Sequence, residues 1–435
     1  MAKINKFIVE YAEVVKGFKV NFDEAKPPKY LIKRFVKIIS AEVNDPRYEK
    51  MCTYPLEVVL SVAFLAVLGD CKTWGEIADF GNDYKKWLSK FLPLGEGMPI
   101  DDTYRRVFSL ISPSELSKAT IKYIVEIFRK IKATLNKHNK DELQYKLINI
   151  DGKEARATGR MYNTPERVAN LRTLNVYDAS DGVSLFSIPI SEKSNEIPEA
   201  QNILKQMNLK GVIVTMDSLH AQHKTFDIIT TNKGDYCIGI KGNQGDAFEE
   251  IKLIANSEYL NKLKNNPKLY KKAGEYKEYF QIPFSYFAIE KGEINKTPKW
   301  SGVRNIICYQ KINKKTGEIE TKYFATTLND LDLSIEAITG RWDVENLLHR
   351  YLDMDFGEDD NKTMDVKAYT NLSIINKLCL SILKVAKPIL ENRSMRRIKK
   401  SMGRSLSSYL SILLSAISPD EIEKVLNQKN SEIKF

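Results

Sequence analysis

The sequence of 435 residues is poor in the side chains that usually build zinc sites and disulfide bonds. It contains five cysteines and four histidines, and the cysteines are widely scattered without a Cys-x-x-Cys pair. This spacing predicts neither a zinc site nor a disulfide framework, and it is typical of a reducing cytoplasm. His220, His223 and His349 lack a shared metal-ligand spacing, and His349 is predicted to be a helix-packing residue.

Long apolar runs are also missing. The longest, from Val58 to Leu68, is too short to span a bilayer, because a transmembrane helix needs roughly 20 apolar residues. The first 20 residues carry charges throughout and lack an uninterrupted apolar core, so no signal peptide is predicted. We therefore expect a soluble, cytoplasmic protein without a membrane partner.

Negative charge is in the minority. Lysine and arginine number 67 against 56 aspartates and glutamates, so the formal net charge is +11. Such an excess favours a polyanionic partner such as nucleic acid, although a merely lysine-rich proteome would produce it too. The length and the 43% apolar content predict a sizeable core divided into two or three structural units.

Residues up to about 145 show apolar side chains at a spacing of three to four, which predicts an all-helical N-terminal domain at 1–140. The predicted helices are 31–43, 55–68, 73–80, 83–91 and 113–135. Thr73 and Asp101 are expected to cap helix starts. This module could bind DNA, with Arg105 and Arg106 on phosphates. Alternatively, Trp74 and Trp87 are core residues and the two arginines form a solvated face.

The pattern changes at Tyr145 to short β-branched runs with helices between them. The predicted strands are 146–150, 171–177, 183–190, 212–216 and 236–240, with a helix at 198–207. Asp151 and Asp217 each follow a predicted strand directly. Ligands gather at the carboxyl ends of strands in helix-covered sheets, so the two carboxylates are expected side by side. A strand-terminal aspartate can also simply cap a helix.

A segment rich in lysine and tyrosine at about 246–320 interrupts this alternation, either as a nucleic-acid surface or as an ordinary insertion. Predicted strands at 303–310 and 321–327 lead into a predicted helix from Thr339 to Asp360. On that helix Arg341 and Glu345 are four residues apart, and Glu345 is expected on a largely buried face. A buried carboxylate needs a cation, which Arg341 could supply, or a divalent metal ion. Alternatively, Arg341 and Glu345 form an ordinary surface ion pair.

Several stretches together resemble the bacterial insertion-sequence DDE transposases of the H-repeat-associated, or ISAs-type, family. The matching stretches, in the order of the chain, are NDPRYEKMCTYPLEVVLSVAFLAVLGDCKTWGEIADF, INIDGK, EKSNEI, VTMDSLHAQ, DYCIGIKGNQ and RWDVENLLHRYLDMDFGED. They extend from about residue 30 to about residue 390. Each short match is weak alone, and their order makes the set specific.

The resemblance implies an α/β fold with a ribonuclease H-like mixed-sheet catalytic core at 145–368. An insertion at about 246–320, the all-helical N-terminal domain and a basic C-terminal helical region at 369–435 complete this predicted organisation. The resemblance also implies that Asp151, Asp217 and Glu345 are the catalytic, metal-binding triad. Arg341 falls where related transposases carry the arginine of a tyrosine–arginine–glutamate signature. Ile338 and Leu352 depart from that signature at its tyrosine and later lysine positions.

Two Mg²⁺ ions, with Mn²⁺ able to substitute, are the cofactors expected for such a site. Asp151 is predicted to bridge both ions, with Asp217 on one and Glu345 on the other. The acidic run at 353–360 would orient Glu345 or the metals, or it would be a solvated turn that ends the helix.

The expected partner is double-stranded DNA, both the terminal inverted repeats of the protein's own element and the target, bound by a homodimer at the nucleoid. The candidate DNA-binding residues are Arg341, Lys153, Lys193, Lys241, Asn243, Gln244, Arg396 and Arg397, of which the loop residues could equally be solvated. Three functions remain open: an active transposase, a catalytically inactive transposase-derived DNA-binding protein, and a metal-dependent nuclease without strand transfer.

Overall fold

The computed structural model of the protein describes the greater part of the chain. The described residues are 3–4, 11–12, 29–95, 97–136, 144–161, 167–168, 170–190, 195–289, 300–388, 390, 394–402, 410–411, 414, 417 and 423. Lys193, a predicted DNA contact, lies outside these ranges.

The N-terminal region is helical as predicted, except that the two-residue strand Lys3–Ile4 joins the β-sheet, so it is not all-helical. Its helices are α1 (Lys29–Glu42), α2 (Leu56–Leu68), α3 (Trp74–Asp83), α4 (Lys85–Leu88), α5 (Asp101–Leu110) and α6 (Pro113–Asn136). A capping box begins α3, because Thr73 accepts from the Glu76 backbone and Glu76 accepts from the Thr73 backbone. Trp74 packs against the helical core, with its ring centroid 5.1 Å from that of Phe108.

A mixed β-sheet forms the centre of the molecule. Its strands are β1 (Lys3–Ile4), β2 (Gln144–Ala155), β5 (Leu171–Asp178), β6 (Val183–Ile190), β7 (Val212–Met216), β8 (Asp235–Ile240), β9 (Tyr270–Lys272), β10 (Lys277–Pro283), β11 (Asn305–Ile312) and β12 (Ile319–Thr326). A separate short ladder pairs β3 (Arg160–Met161) with β4 (Arg167–Val168). The order in the main sheet is β6-β5-β2-β7-β8-β12-β11-β10-β9, with β1 beside the start of β2.

The first five strands of this order form a ribonuclease H-like core, which confirms the predicted fold class. β2, β7 and β8 are parallel, and β5 and β6 add an antiparallel hairpin. The predicted insertion continues the same sheet, because β12 pairs with β8 and β9 to β11 follow in antiparallel pairs. The boundaries of the three predicted domains stay a prediction.

Helices cover both faces of the sheet. The remaining α-helices are α7 (Glu196–Gln206), α8 (His223–Thr231), α9 (Asp246–Ile254), α10 (Ser257–Leu263), α11 (Ser285–Ile289), α12 (Leu331–Arg341), α13 (Arg350–Met354), α14 (Val366–Ala386) and α15 (Met395–Met402). Helices α7 and α8 share one apolar core with β2 and β7, and α12 shares another core on the opposite face. Helix α14 is buried from residue 368 to residue 386 among the N-terminal helices. None of the helices in the described ranges has the length and apolarity of a membrane span.

A buried cluster of charges joins α14 to the sheet. The carboxylate of Glu358, whose side chain is 1% exposed, lies 2.7 Å from Lys153 Nζ of β2. Asn376 of α14 donates a second hydrogen bond to it, at 3.2 Å. Burial opposes ionisation of Glu358, but Lys153 and Lys377 outweigh that effect and lower its pKa to about 2. One member of the acidic run at 353–360, Glu358, is therefore a buried counter-charge for Lys153 and Lys377.

We expect Glu358→Gln to lower the free energy of unfolding by about 3 kcal/mol, because it leaves two buried lysines short of a counter-charge. Since the pKa of Glu358 is lowered from 4.5 to about 2, its stabilisation is complete above pH 4.5 and is lost as the pH falls through 2. Urea denaturation at several pH values should show the two proteins converging in that acidic window.

The matched control for this prediction is Glu249→Gln. Glu249 is exposed and pairs with Lys252 at the surface, so its loss should change stability by less than about 0.5 kcal/mol. An equal loss in both variants would show that the buried cluster has no special role.

Candidate active site

The register of two parallel strands brings Asp151 and Asp217 together. Residues 146–150 of β2 pair with 212–216 of β7, and the last pair is Ile150 with Met216. The next residue on each strand is one of the two aspartates, so they stand side by side at the end of this ladder. Contrary to expectation, β2 does not stop at Asp151. It continues to Ala155 because β5 still supplies an antiparallel partner there.

Asp217 lies beside two cationic side chains. Its Oδ1 is 3.5 Å from Lys241 Nζ and 3.6 Å from Arg341 Nη1. Burial acts to raise the pKa of Asp217, but the Ser218 backbone N–H, Lys241 and Arg341 together lower it below its ordinary value. Asp217 is therefore ionised at neutral pH.

The loop after β8 places Lys241 at this site. Asn243 and Gln244 donate side-chain hydrogen bonds to the Ser218 carbonyl, at 2.8 and 3.1 Å. Gln244 also accepts from the Lys241 backbone N–H at 2.8 Å. The two amides thus fasten this loop to the one that carries Asp217, and their predicted contacts with DNA stay a prediction.

The segment that carries Glu345 differs from the single helix predicted for 339–360. Helix α12 ends at Arg341, and a π-helix then runs over Val344–His349 before α13. The wider turn puts Val344 and Leu348 in the core and leaves Glu345 exposed, so the expectation of a buried Glu345 is wrong. Such π-turns occur often at functional sites.

The sequence offers Arg341 as the cationic partner of Glu345, but in the structure its guanidinium lies beside Asp217. Its Nε is buried and has no hydrogen-bond partner within the described part of the chain. A buried N–H that is left unpaired costs free energy, so this atom is suited to an incoming acceptor.

Close packing at Gly340 fixes where the segment leaves α12. A β-carbon at Gly340 would overlap Cδ2 of Leu147, a core residue of β2. The side-chain amide of Asn149 of β2 donates through Nδ2 to the Gly340 backbone carbonyl at 2.7 Å, and its Oδ1 accepts from the Thr215 hydroxyl of β7 at 2.6 Å. Arg341 and Glu345 are thereby tied to the two strands that carry the aspartates.

Asp151 is in a different electrostatic environment from Asp217. Its pKa is raised to about 7, first by burial and next by the charge of Glu345, with Glu196 and Asp217 adding to the rise. Arg341 opposes the shift without cancelling it. Several carboxylates therefore act on one another here with too little positive charge to balance them.

Glu196 was not identified as a site residue from the sequence. It lies in the first turn of α7, and its carboxylate occupies the space over Gly152 where a larger residue would have its β-carbon. The signal that could have found it is the EKSNEI stretch, which matched the family but in which only Lys193 was given a role.

His349, which was predicted to be a packing residue, also reaches the site. Its Nδ1 is 3.8 Å from Asp151 Oδ2. Burial and the nearby Lys153 and Lys377 lower its pKa to about 3, so the imidazole is neutral at physiological pH.

The chemistry of these donors suits a hard divalent cation. Carboxylate oxygens are the usual protein ligands of Mg²⁺, and the pKa of Asp151 is raised by burial and then by the neighbouring carboxylates, so a cation there would favour its ionised form. Within the described ranges, however, no three His, Cys, Asp or Glu side chains are already close enough to hold one ion. The donor types therefore fit a magnesium site.

The other predicted DNA contacts are distributed unevenly. Lys153 is buried, with Nζ 2.5 Å from Asp353 and 2.7 Å from Glu358, so it is not available to a phosphate in this structure. The reason is that the Lys153 side chain lies on the face of β2 against which Glu358 packs. Arg396 and Arg397 of α15 are exposed, and their predicted contacts with DNA stay a prediction.

The fold and this acidic edge of the sheet fit the class of DDE-type nucleic-acid enzymes, and comparison with known proteins supports that class. A family model described as "Transposase DDE domain" matches residues 142–382, which is more than half of the chain. A second model, described as "DDE_Tnp_1-associated", matches residues 38–124 in the helical region. The protein therefore belongs to the DDE transposase family, whose members generally use divalent metal ions.

Two relatives from Escherichia coli K12 match over nearly their whole length. The "H repeat-associated putative transposase YhhI" and the "Putative protein YbfL" are each 26% identical over 400 residues, covering 88% of this chain and 98% of the relative. A solved piggyBac transposase synaptic complex with hairpin DNA is 12% identical, with a TM-score of 0.36 over 98% of this chain and 85% of that one.

We expect Gly340→Ala to reduce activity more than stability. Overpacking against Leu147 costs about 1–3 kcal/mol, of which the better helix propensity of alanine returns about 1 kcal/mol. The displaced segment carries Arg341 and Glu345, so DNA cleavage should fall at least about tenfold, as misplaced catalytic groups do. Thermal unfolding and cleavage assays measure the two effects.

Gly75→Ala is the matched control, because Gly75 lies in α3 with open space around its missing side chain. It should retain full cleavage activity. Unchanged cleavage in Gly340→Ala would show that the close approach does not position the segment.

Proposed function

We propose that this protein is an insertion-sequence transposase that binds the ends of its own element and catalyses metal-dependent DNA strand cleavage and strand transfer. The observation that carries the proposal is the pairing of β2 with β7, which sets Asp151 beside Asp217 and opposite the segment that bears Glu345. Membership of the DDE transposase family supports the same reaction class.

In this proposal Asp151, Asp217 and Glu345 are the catalytic triad and the ligands of two Mg²⁺ ions, or of Mn²⁺. When bound, such ions stabilise the attacking and leaving oxygens of a phosphodiester. Asp151 would contribute to holding both ions, and its pKa responds to the charges of both other carboxylates. Glu345 is exposed, so its carboxylate has room to turn toward the two aspartates.

Arg341 and Lys241 orient the DNA phosphate beside Asp217. Lys241 has a 64% exposed side chain, and Arg341 offers a buried Nε–H without a partner in the described residues. Cationic groups that already stand where charge develops stabilise a phosphoryl-transfer transition state without reorganising. Lys193, Asn243 and Gln244 are assigned to the flanking phosphates.

Farther from the aspartates, Arg396 and Arg397 contribute affinity for the DNA backbone rather than sequence choice. The ends of an element must be cut together, so the active form on DNA is a homodimer holding two terminal repeats. We assign the protein to the cytoplasm, at the nucleoid.

We expect Asp217→Asn to lower Mg²⁺-dependent nicking at the element ends more than about 100-fold, because an amide is a poor substitute for an ionised ligand. Asp227→Asn is the matched control, since its side chain is 42% exposed against 41% for Asp217 and the charge change is the same. A denaturing gel resolves the nicked and joined products.

Nicking by wild type followed by joining to target DNA identifies a transposase, whereas nicking without joining identifies a nuclease. Specific binding of the ends without any cleavage by wild type would identify an inactive DNA-binding derivative. Equal activity of the two asparagine variants would remove Asp217 from the site.

We expect the double variant Arg396→Ala/Arg397→Ala to bind DNA with a weaker salt dependence. Two lost phosphate contacts should reduce the slope of log K against log salt by about 2. Lys252→Ala/Lys262→Ala removes the same charge from lysines that pair with surface glutamates, and its slope should not change. Equal slopes for the two double variants in fluorescence-anisotropy titrations would contradict this assignment.

A further inference from the structure

A row of polar side chains crosses three strands next to the proposed active site. Asp151 of β2 pairs directly with Asn175 of β5, and Asn175 pairs directly with Ser187 of β6. Asn175 and Ser187 are buried, at 0% and 3% exposure. Helix α14 covers the row and contributes the buried ammonium of Lys377.

Two hydrogen bonds fix which way the Asn175 amide points. Lys377 Nζ donates to Asn175 Oδ1 at 2.7 Å, and the Ser187 hydroxyl donates to the same oxygen at 3.2 Å. An ammonium group can only donate, so the atom of Asn175 that faces it has to be the oxygen. The amide nitrogen of Asn175 is therefore directed to the other side, away from α14.

On that other side lies the imidazole of His349. Asn175 Nδ2 is 3.3 Å from His349 Nε2. Since the amide nitrogen is a donor, Nε2 has to accept and cannot itself carry a proton. A neutral imidazole with a bare Nε2 carries its single proton on Nδ1. That nitrogen is the one 3.8 Å from Asp151 Oδ2.

We propose that His349 is a positioning residue that presents an Nδ1–H group to the Asp151 carboxylate, in a tautomer fixed by Lys377 through Asn175. Such a donor holds one carboxylate oxygen in place and leaves the other for a metal ion. The distance of 3.8 Å is longer than a hydrogen bond, and catalytic hydrogen bonds are often long in unliganded sites and tighten on loading.

The same logic removes His349 from the candidate metal ligands. A ring nitrogen that binds a metal has to be unprotonated, yet here Nδ1 carries the proton and Nε2 is occupied by Asn175. His349 thus orients the Asp151 carboxylate without binding the metal ion itself, as residues that hydrogen-bond to metal ligands commonly do.

The first test reads the tautomer directly, in the metal-free wild-type protein. The chain has only four histidines, so ¹⁵N-histidine labelling gives a long-range ¹H–¹⁵N spectrum simple enough to assign by the loss of His349 signals in His349→Asn. We expect the signature of a protonated Nδ1 and a bare Nε2. A protonated Nε2 overturns the proposal, whatever the enzymatic activity.

The second test separates hydrogen bonding from packing. His349→Asn keeps an N–H near the position of Nδ1, whereas His349→Leu keeps apolar bulk without a donor. We expect Mn²⁺ affinity, followed by electron paramagnetic resonance, to fall about 10- to 100-fold in His349→Leu and only a few-fold in His349→Asn, with end cleavage following the same order. Equal losses in the two variants would mean that His349 only packs.

The link to Asp151 as a metal ligand rests on the proposed function, but the two can fail separately. A wild-type protein that neither binds Mn²⁺ nor cleaves DNA overturns the proposed function, while the tautomer measurement still decides the geometry around His349. Circular dichroism melting curves check that both variants are folded, and the wild-type spectrum decides the proposal if His349→Leu is not.

Discussion

The candidate active site depends on a carboxylate that is buried away from water. Glu358 is 1% exposed, and a carboxylate so placed costs several kcal/mol unless cations surround it. Its cations come from two distant places, Lys153 on β2 and Lys377 on α14. The ionised cluster can form only when the sheet, the end of the Glu345 segment and the C-terminal helix meet. Helix α14, which carries Lys377, therefore supports β2 and the Glu345 segment, although these parts lie far apart in sequence.

The pKa values of two neighbouring aspartates in this site are shifted in opposite directions. The pKa of Asp217 is lowered despite burial, because Lys241, Arg341 and a backbone N–H favour its charged form. The pKa of Asp151 is raised to about 7 by burial and by other carboxylates. Adjacent groups with diverging environments are a feature of catalytic sites. Asp217 therefore faces the positive side of the site, whereas Asp151 lies where positive charge is lacking and where a cation would be stabilised most.

The sequence predicted the elements with strong local patterns. The strands at 183–190 and 212–216 agree with the prediction to the residue, because β-branched runs bounded by turn residues have few alternatives. It failed at the Glu345 segment, where a 3.6-residue period was assumed and a π-turn changes the period. The prediction also failed at Lys153, which was expected to lie in an exposed loop directly after Asp151 and Gly152. Its burial depends on Glu358, 205 residues further on, and local patterns carry no information about that contact.

The basic composition illustrates the same limit. A net charge of +11 favours a polyanionic partner as a class, yet several of the lysines counted in it are internal. Lys153, Lys377, Lys384 and Lys399 are all at least nine-tenths buried, and they bind carboxylates, carbonyls or hydroxyls of the protein itself. Only exposed cations such as Lys241 can release counter-ions from DNA. Charge counting therefore indicates the kind of partner, while the fold decides which cations are available to bind it.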